Sequence, residues 1–309
     1  MTALTRPISH WKLRTRTLEL GRRTLVMGVI NITPDSFSDG GLFLAPEAAV
    51  ARALQLFDEG ADLLDLGAES TRPGSQTGRP ADAAVTASEE QARLLPVIEG
   101  ILKARPDAIL SADTYKSATA RAALAAGAEI INDVSGFCWD DAMPAVCAES
   151  SCGVVLMHTR GRPDEWREQN KLPSGALMNL VRSGLARSME IAALAGIQAE
   201  AIVLDPGYGF GKKLDENYIL LARQAELLAL RRPLLAGVSR KSFLGHTLAP
   251  LYASKQAPVK ARETAGIAAL VAAIFHGTSI VRVHDVRPAV EAARVADDVI
   301  AARDQDSAR

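Results

Sequence analysis

The sequence is short of the features that mark secreted, membrane-bound or nucleic-acid-binding proteins. It has three cysteines in 309 residues, Cys138, Cys147 and Cys152. An odd count without metal-ligand spacing argues against a disulfide framework and a zinc site, and suits idle thiols in a reducing compartment. No apolar run reaches the roughly 20 residues that a membrane span needs. The first residues, MTALTRPISHWKLRTRTLEL, have no apolar core of signal-peptide length. Basic charge is not in excess either: 35 Lys and Arg stand against 36 Asp and Glu, a net charge of -1. A nucleic-acid backbone or an anionic membrane therefore finds no basic surface, and any bound anion must be held by a few placed cations. These absences predict a cytoplasmic protein.

What is present predicts a globular core. Hydrophobic residues make up 48% of the chain and charged residues 23%. Short aliphatic runs recur along the whole length, at 24–30, 61–67, 108–113, 128–134, 153–158, 201–207, 233–240 and 279–285. Nearly continuous apolar runs of this length suit parallel strands covered on both faces. Amphipathic helical patterns separate them. Val50, Ala53, Leu54 and Phe57 repeat at helical spacing before Gly60, and Ile267, Leu270, Val271 and Ile274 do so before Gly277. Ser88 with Gln91 predicts a capping box, and Pro96 a kink in the helix that follows. Further helices are expected near 116–126, 141–150, 174–195, 215–230 and 287–303. This alternation predicts an α/β fold, a single (β/α)8 TIM barrel over 24–303. A doubly wound open sheet is the alternative. Residues 1–23 are expected to form a short hairpin at the barrel floor, and 304–309 a flexible tail.

In such a barrel the carboxyl ends of the strands build one mouth. Asp113, Asn132, Asp205 and Lys241 would project into it from four strands. Any one of them could simply mark where a buried strand meets water. Together, carboxylate, amide and ammonium in one pocket suit a flat heterocycle with adjacent N–H donors and ring acceptors. Asn31, Arg72, Arg282 and His284 follow strands that are neighbours in a closed barrel, and form a phosphate-type anion set. An ion pair of Arg282 and His284 with Asp285 is the competing reading. Asn31 is also a candidate ligand for a Mg2+ ion bridging a diphosphate. Residues 207–212, GYGFGK, look like a phosphate loop but are not one: Pro206 stands where its first glycine belongs, and Lys213 where Ser or Thr belongs. No Ser or Cys has an identifiable His partner. A heterocycle pocket beside a diphosphate site, without a nucleophile, suggests displacement of diphosphate carried by electrostatics.

The segments MGVINITPDSFSDGG (27–41), LDLGAESTRPGS (64–75), SADTYK (111–116), INDVSG (131–136), VLDPGYGFGK (203–212), GVSRKSF (237–243) and VRVHDV (281–286) resemble, in order, the motifs of the dihydropteroate synthases. The resemblance runs from about Met27 to about Ala293. It implies a (β/α)8 barrel that condenses 6-hydroxymethyl-7,8-dihydropterin diphosphate with p-aminobenzoate, using Mg2+ and forming homodimers. By motif position, the pterin would contact Asp113, Asn132, Met157, Asp205, Phe210, Gly237 and Lys241. The diphosphate would contact Asn31, Arg72, Arg282 and His284. Phe37, Thr71, Pro73, Ser239 and Lys241 would frame p-aminobenzoate. Lys241, Asp113, Arg282 and Asp35 would serve catalysis, the last by ordering the polar loop 31–41 when it closes over the substrates. Thr159 stands where a Met is expected, which puts the rim at 159–170 in doubt. A corrinoid-dependent pterin methyltransferase, a non-catalytic folate-binding barrel and a sugar-phosphate lyase are the competing functions.

Overall fold

The computed structural model describes residues 6–33, 46–69 and 85–307. A hairpin of β1 (Ser9–Lys12) and β2 (Thr17–Leu20) comes first. Eight strands follow: β3 (Leu25–Asn31), β4 (Leu63–Gly67), β5 (Leu110–Asp113), β6 (Ile130–Asp133), β7 (Gly153–Met157), β8 (Ile202–Asp205), β9 (Leu234–Ala236) and β10 (Thr278–Val283). All pair in parallel with their sequence neighbours, and β10 closes the barrel on β3. The helices between them are α1 (Pro46–Asp58), α2 (Ala87–Ala104), α3 (Ser117–Ala125), α4 (Met143–Ser150), α5 (Ser174–Leu194), α6 (Leu214–Arg223), α7 (Ser242–Thr247) and α8 (Glu263–Phe275). The chain ends with α9 (Val286–Ser307), which runs past the expected boundary at 303.

The period-2 alternation of a strand divides the apolar residues into two groups. Val26, Leu64, Leu110, Ile131, Val154, Leu204 and Val281 face outward and pack with the helices. Leu25, Met27, Leu63, Ile130, Val155, Val203, Leu235 and Ile280 face inward, and they meet Trp11, Leu13 and Leu20 of the hairpin. The hairpin is therefore a plug. Trp11 is fully buried and donates from Nε1 to the carbonyl of Ala201, just before β8. The Thr15 backbone N–H donates to the Glu129 carboxylate, just before β6. Both anchors lie at the amino ends of the strands, so the hairpin seals an apolar floor.

Three local expectations change. The capping box forms at Thr86 and Glu89, not at Ser88 and Gln91. Glu89 accepts from the Thr86 backbone N–H at 2.9 Å, and its own N–H donates to Thr86 Oγ1 at 3.2 Å. A carboxylate accepts such bonds better than the Gln91 amide, and the earlier start places Glu89 and Glu90 at the positive end of the helix dipole. The helix is continuous through Pro96, which lies on its exposed face. The stretch expected as one helix over 215–230 is α-helical only to Arg223 and continues as a 3-10 helix over Gln224–Leu230. Gln224 is fully buried there and donates to the Thr278 hydroxyl at 2.7 Å, which ties the change of pitch to β10.

Truncation of the plug should cost stability. Trp11→Ala is expected to lower the unfolding free energy by about 3–5 kcal/mol, the usual cost of a large core deletion. Urea unfolding reads this directly, and a loss below about 1 kcal/mol would show that the hairpin only lies against the floor.

Candidate active site

On five of the strands the next inward position above the apolar floor is polar, while β3, β7 and β9 place Val29, Met157 and Gly237 there. Two residues beyond Leu63 stands Asp65; beyond Ile130, Asn132; beyond Val203, Asp205; beyond Ile280, Arg282. Ser111 and Asp113 complete this layer on β5. Asp65 is its centre. It is fully buried and accepts from Ser111 Oγ at 2.6 Å, Asn132 Nδ2 at 2.9 Å and Arg282 Nε at 2.5 Å. Arg282 NH2 also donates to Asp113 Oδ2 at 2.6 Å. A buried charge persists only when paired, and this carboxylate is surrounded by donors.

The two groups expected from the sequence are therefore joined. Arg282, assigned to the anion set, is bonded to Asp113 of the heterocycle set. It makes no pair with Asp285, whose carboxylate takes a bidentate bond from Arg240 at 2.6 and 3.1 Å. His284 Nδ1 lies 3.1 Å from Ser239 Oγ, so these two meet beside Arg282 at the ends of β9 and β10. Asn31 closes β3 at the same rim, in register with Gly67. Asp35, Phe37, Thr71, Arg72 and Pro73 lie outside the described residues.

Asp205, Lys241 and Phe210 form the opposite wall. Asp205 accepts from the Gly207 backbone N–H at 2.7 Å. The Lys241 ammonium lies over the Phe210 ring, 4.1 Å from its centroid, as cation–π attraction favours. Met157 ends β7 in register with Asp205. Gly237 sits between the two walls. A Cβ there would meet nothing closer than 3.9 Å, to Asp205 Oδ2 and Arg282 Cβ. The backbone does not demand glycine at this point; its missing side chain leaves room for a flat ligand.

Two other strand-end residues turn away from the mouth. Asp133 accepts from the N–H groups of Ser135 and Phe137 and so caps its own loop. The His158 ring packs on α5, where a Cβ at Gly184 would come within 2.5 Å of it. Asp65 and Ser111 escaped the sequence reading because both lie inside apolar runs. Trp166 escaped it too. It packs edge-on against Phe210 at 5.3 Å and donates from Nε1 to the Gly161 carbonyl, in the rim segment where Thr159 departs from expectation.

Residues 27–284 match the pterin binding enzyme family. The chain belongs to this family. It is 40% identical over 277 residues to the dihydropteroate synthase of Synechocystis sp., with 90% of each chain covered. Its fold is similar to that of the Xanthomonas albilineans dihydropteroate synthase solved with 4-aminobenzoic acid, at 37% identity, a TM-score of 0.82, and 95% and 98% of the two chains covered. A Burkholderia cenocepacia dihydropteroate synthase complexed with 7,8-dihydropteroate gives 37% identity, a TM-score of 0.80, and 97% and 99% coverage.

The electrostatics of this pterin-binding barrel are set by burial. Burial raises the carboxyls of Asp113 and Asp205, against the pull of Arg282 on the first and of the Gly207 N–H and Lys241 on the second. Burial also lowers the Lys241 ammonium to about 8, although Asp205 opposes it. Arg282 resists the same burial, because Asp65 and Asp113 more than offset it and hold its charge firmly. Each wall thus carries acceptors and donors partly withdrawn from water, which strengthens their bonds to a ligand.

Gly237→Ala tests the proposed gap. The variant should fold with stability within about 1 kcal/mol of the native chain. Its affinity for a pterin should fall about tenfold or more, as when one methyl group intrudes on a fitted site. Calorimetric titration with a pterin checks this, and undiminished binding would place the ligand elsewhere.

Proposed function

We infer that this chain is a dihydropteroate synthase, a transferase of folate biosynthesis that joins 6-hydroxymethyl-7,8-dihydropterin diphosphate to p-aminobenzoate. The observation that carries the reading is the inward polar layer of Asp113, Asn132, Asp205 and Lys241, with Arg282 beside it, in a barrel 40% identical to a synthase. The carboxylates and the amide accept the ring N–H groups of the pterin, and Asn132 and Lys241 donate to its ring acceptors. Arg282, with Arg72, Asn31 and His284, takes the diphosphate. When it does so, Arg282 exchanges its bond to Asp113 for one to the phosphate oxygens, which frees Asp113 for the pterin. Ser239, Lys241, Phe37, Thr71 and Pro73 frame p-aminobenzoate.

The chemistry is a displacement at the pterin methylene. The aniline nitrogen forms the new C–N bond, the C–O bond to diphosphate breaks, and its electron pair leaves with the diphosphate. The nitrogen then loses a proton. The barrel contributes position and charge: cations where the leaving group gathers negative charge, and a dry wall around the methylene. Asp35 orders the loop that excludes water.

Mg2+ fits the donor set through its substrate. Among the described residues no three His, Cys, Asp or Glu side chains gather to form a metal cage. Mg2+ commonly takes one or two protein oxygens and completes its shell with phosphates and water. The amide oxygen of Asn31 would fill that single protein role, and charge on the departing diphosphate would be neutralised there when Mg2+ is bound. Pairing of two copies is supported by the exposed Val295 and Val299 on α9, beside Phe275 of α8. Monomer alone in sedimentation of the concentrated protein would reject it. Three unpaired thiols suit the cytoplasm, and among the described residues no helix is long and apolar enough to cross a membrane.

Diphosphate release from the pterin diphosphate, with and without p-aminobenzoate, in Mg2+ or excess chelator, tests this reading. Release coupled to dihydropteroate and lost in chelator is the expected result. A pterin that stays bound while no diphosphate appears would favour a binding barrel or a methyltransferase. Arg282→Ala should weaken the diphosphate-bearing substrate about ten- to a hundredfold more than the bare pterin, the worth of a charged hydrogen bond. Equal losses for both ligands would remove Arg282 from the diphosphate site.

A further inference from the structure

Residues 207–212 resemble a phosphate loop, yet neither the pterin set nor the anion set uses their cation. Gly207, Gly209 and Gly211 all have positive φ, at 71°, 85° and 73°. The loop they shape folds back on its own lysine. Lys212 Nζ donates to the carbonyls of Gly207 at 2.7 Å, His158 at 2.9 Å and Phe210 at 3.4 Å. Lys212 is buried, only 6% exposed. In a phosphate loop, N–H groups converge on an anion. Here the arrangement is inverted: carbonyls converge on a cation that belongs to the chain itself.

We propose that Lys212 is a positioning residue for pterin binding, an internal ammonium that clamps the loop after β8 to the end of β7 and so sets Asp205 and Phe210 in the pocket wall. The inference rests on the assignment of these two residues to the pterin. Three contacts carry it. The Gly207 carbonyl receives the ammonium while the N–H of the same residue holds Asp205 Oδ1 at 2.7 Å. The Phe210 carbonyl receives it while the Phe210 ring faces Lys241 and Trp166. The His158 carbonyl receives it one residue beyond Met157.

The fit is tight and particular. A Cβ at Gly207 would fall 2.0 Å from the His158 carbonyl oxygen, and one at Gly211 would fall 2.6 Å from Arg160 Cβ. The loop therefore lies as close to the end of β7 as backbone permits. Three acceptors require three N–H donors, which the ammonium has and a neutral amine lacks. Asp205 and Glu216 support the charge, while Lys241 and Arg160 oppose it. Burial outweighs that support and lowers the amine to about 7. The carbonyl cradle is thus what the charge has in place of water.

The test is steady-state kinetics of Lys212→Ala, with and without n-propylammonium to refill the cradle. The KM for the pterin diphosphate should rise about ten- to a hundredfold, the worth of a lost set of charged hydrogen bonds. The KM for p-aminobenzoate should change less than about twofold, since among the described residues Lys212 makes no hydrogen bond to Ser239 or Lys241. Propylammonium, and not the uncharged propanol, should restore part of the pterin affinity. An unchanged pterin KM, or equal losses for both substrates without rescue, would overturn the proposal. Should the alanine variant fail to fold, Lys212→Gln, which keeps two N–H donors, carries the same test: a selective rise in pterin KM supports the proposal and an unselective one overturns it. Asp205→Asn is measured alongside. If it leaves pterin binding intact, the pterin assignment itself fails; if it abolishes binding while both Lys212 variants bind normally, only the Lys212 clamp is wrong.

Discussion

A single buried carboxylate organises the mouth of this barrel. Asp65 has no access to solvent and lies in the middle of β4, where its charge survives only because Ser111, Asn132 and Arg282 all donate to it. Those three donors come from β5, β6 and β10. The carboxylate therefore connects strands from opposite sides of the barrel, and it holds Asn132 and Arg282, two groups that the proposed function gives to the substrate. Removing a partner from such a set is costly, because the remaining charge stays buried and unpaired. The site is preorganised for the same reason: Asn132 and Arg282 are oriented before any substrate arrives, so little rotamer freedom is lost on binding.

The rest of the architecture follows from where polarity is allowed. Inward positions at the floor are aliphatic and sealed by the hairpin through Trp11. One step up β4, β5, β6, β8 and β10, the inward positions are acids, a hydroxyl, an amide and a guanidinium. The mantle between barrel and helices is mostly apolar, with a few bonded polar groups such as Gln224 and Glu90. Two loops then receive the functional cations. The Arg240–Asp285 pair ties the loop after β9 to the end of β10, beside Ser239 and His284. The three-carbonyl cradle of Lys212 ties the loop after β8 to β7. In both cases a charged side chain bonds to a neighbouring segment and holds a loop at the mouth.

The fold was legible because each strand is a compact apolar run and each helix a periodic one. The site was legible where polar residues end those runs, as Asp113 and Asp205 do. Asp65 and Ser111 were not, because a polar residue flanked by apolar neighbours on a buried strand gives no sign of which face it occupies. Only the register of the closed barrel settles that. Arg282 was legible as a cation at the mouth, but its bonds to Asp65 and Asp113 span 217 and 169 residues of sequence. The capping box was misplaced by two residues, as local signals that compete within one turn allow. The loop 207–212 misled in a different way. Its glycines and lysine match the composition of a phosphate loop, while the direction of its carbonyls, which decides the sign of what it binds, is set by backbone angles.

The most direct measurement is the binding of a pterin and of inorganic diphosphate, separately, to Asp65→Asn. The substitution keeps size and one acceptor oxygen but removes the charge that holds both Asn132 and Arg282. The account predicts a folded protein in which both ligands bind at least about tenfold more weakly, since each loses an oriented partner. Unchanged binding of both, in a folded variant, would contradict it: the mouth would then be organised by something other than Asp65.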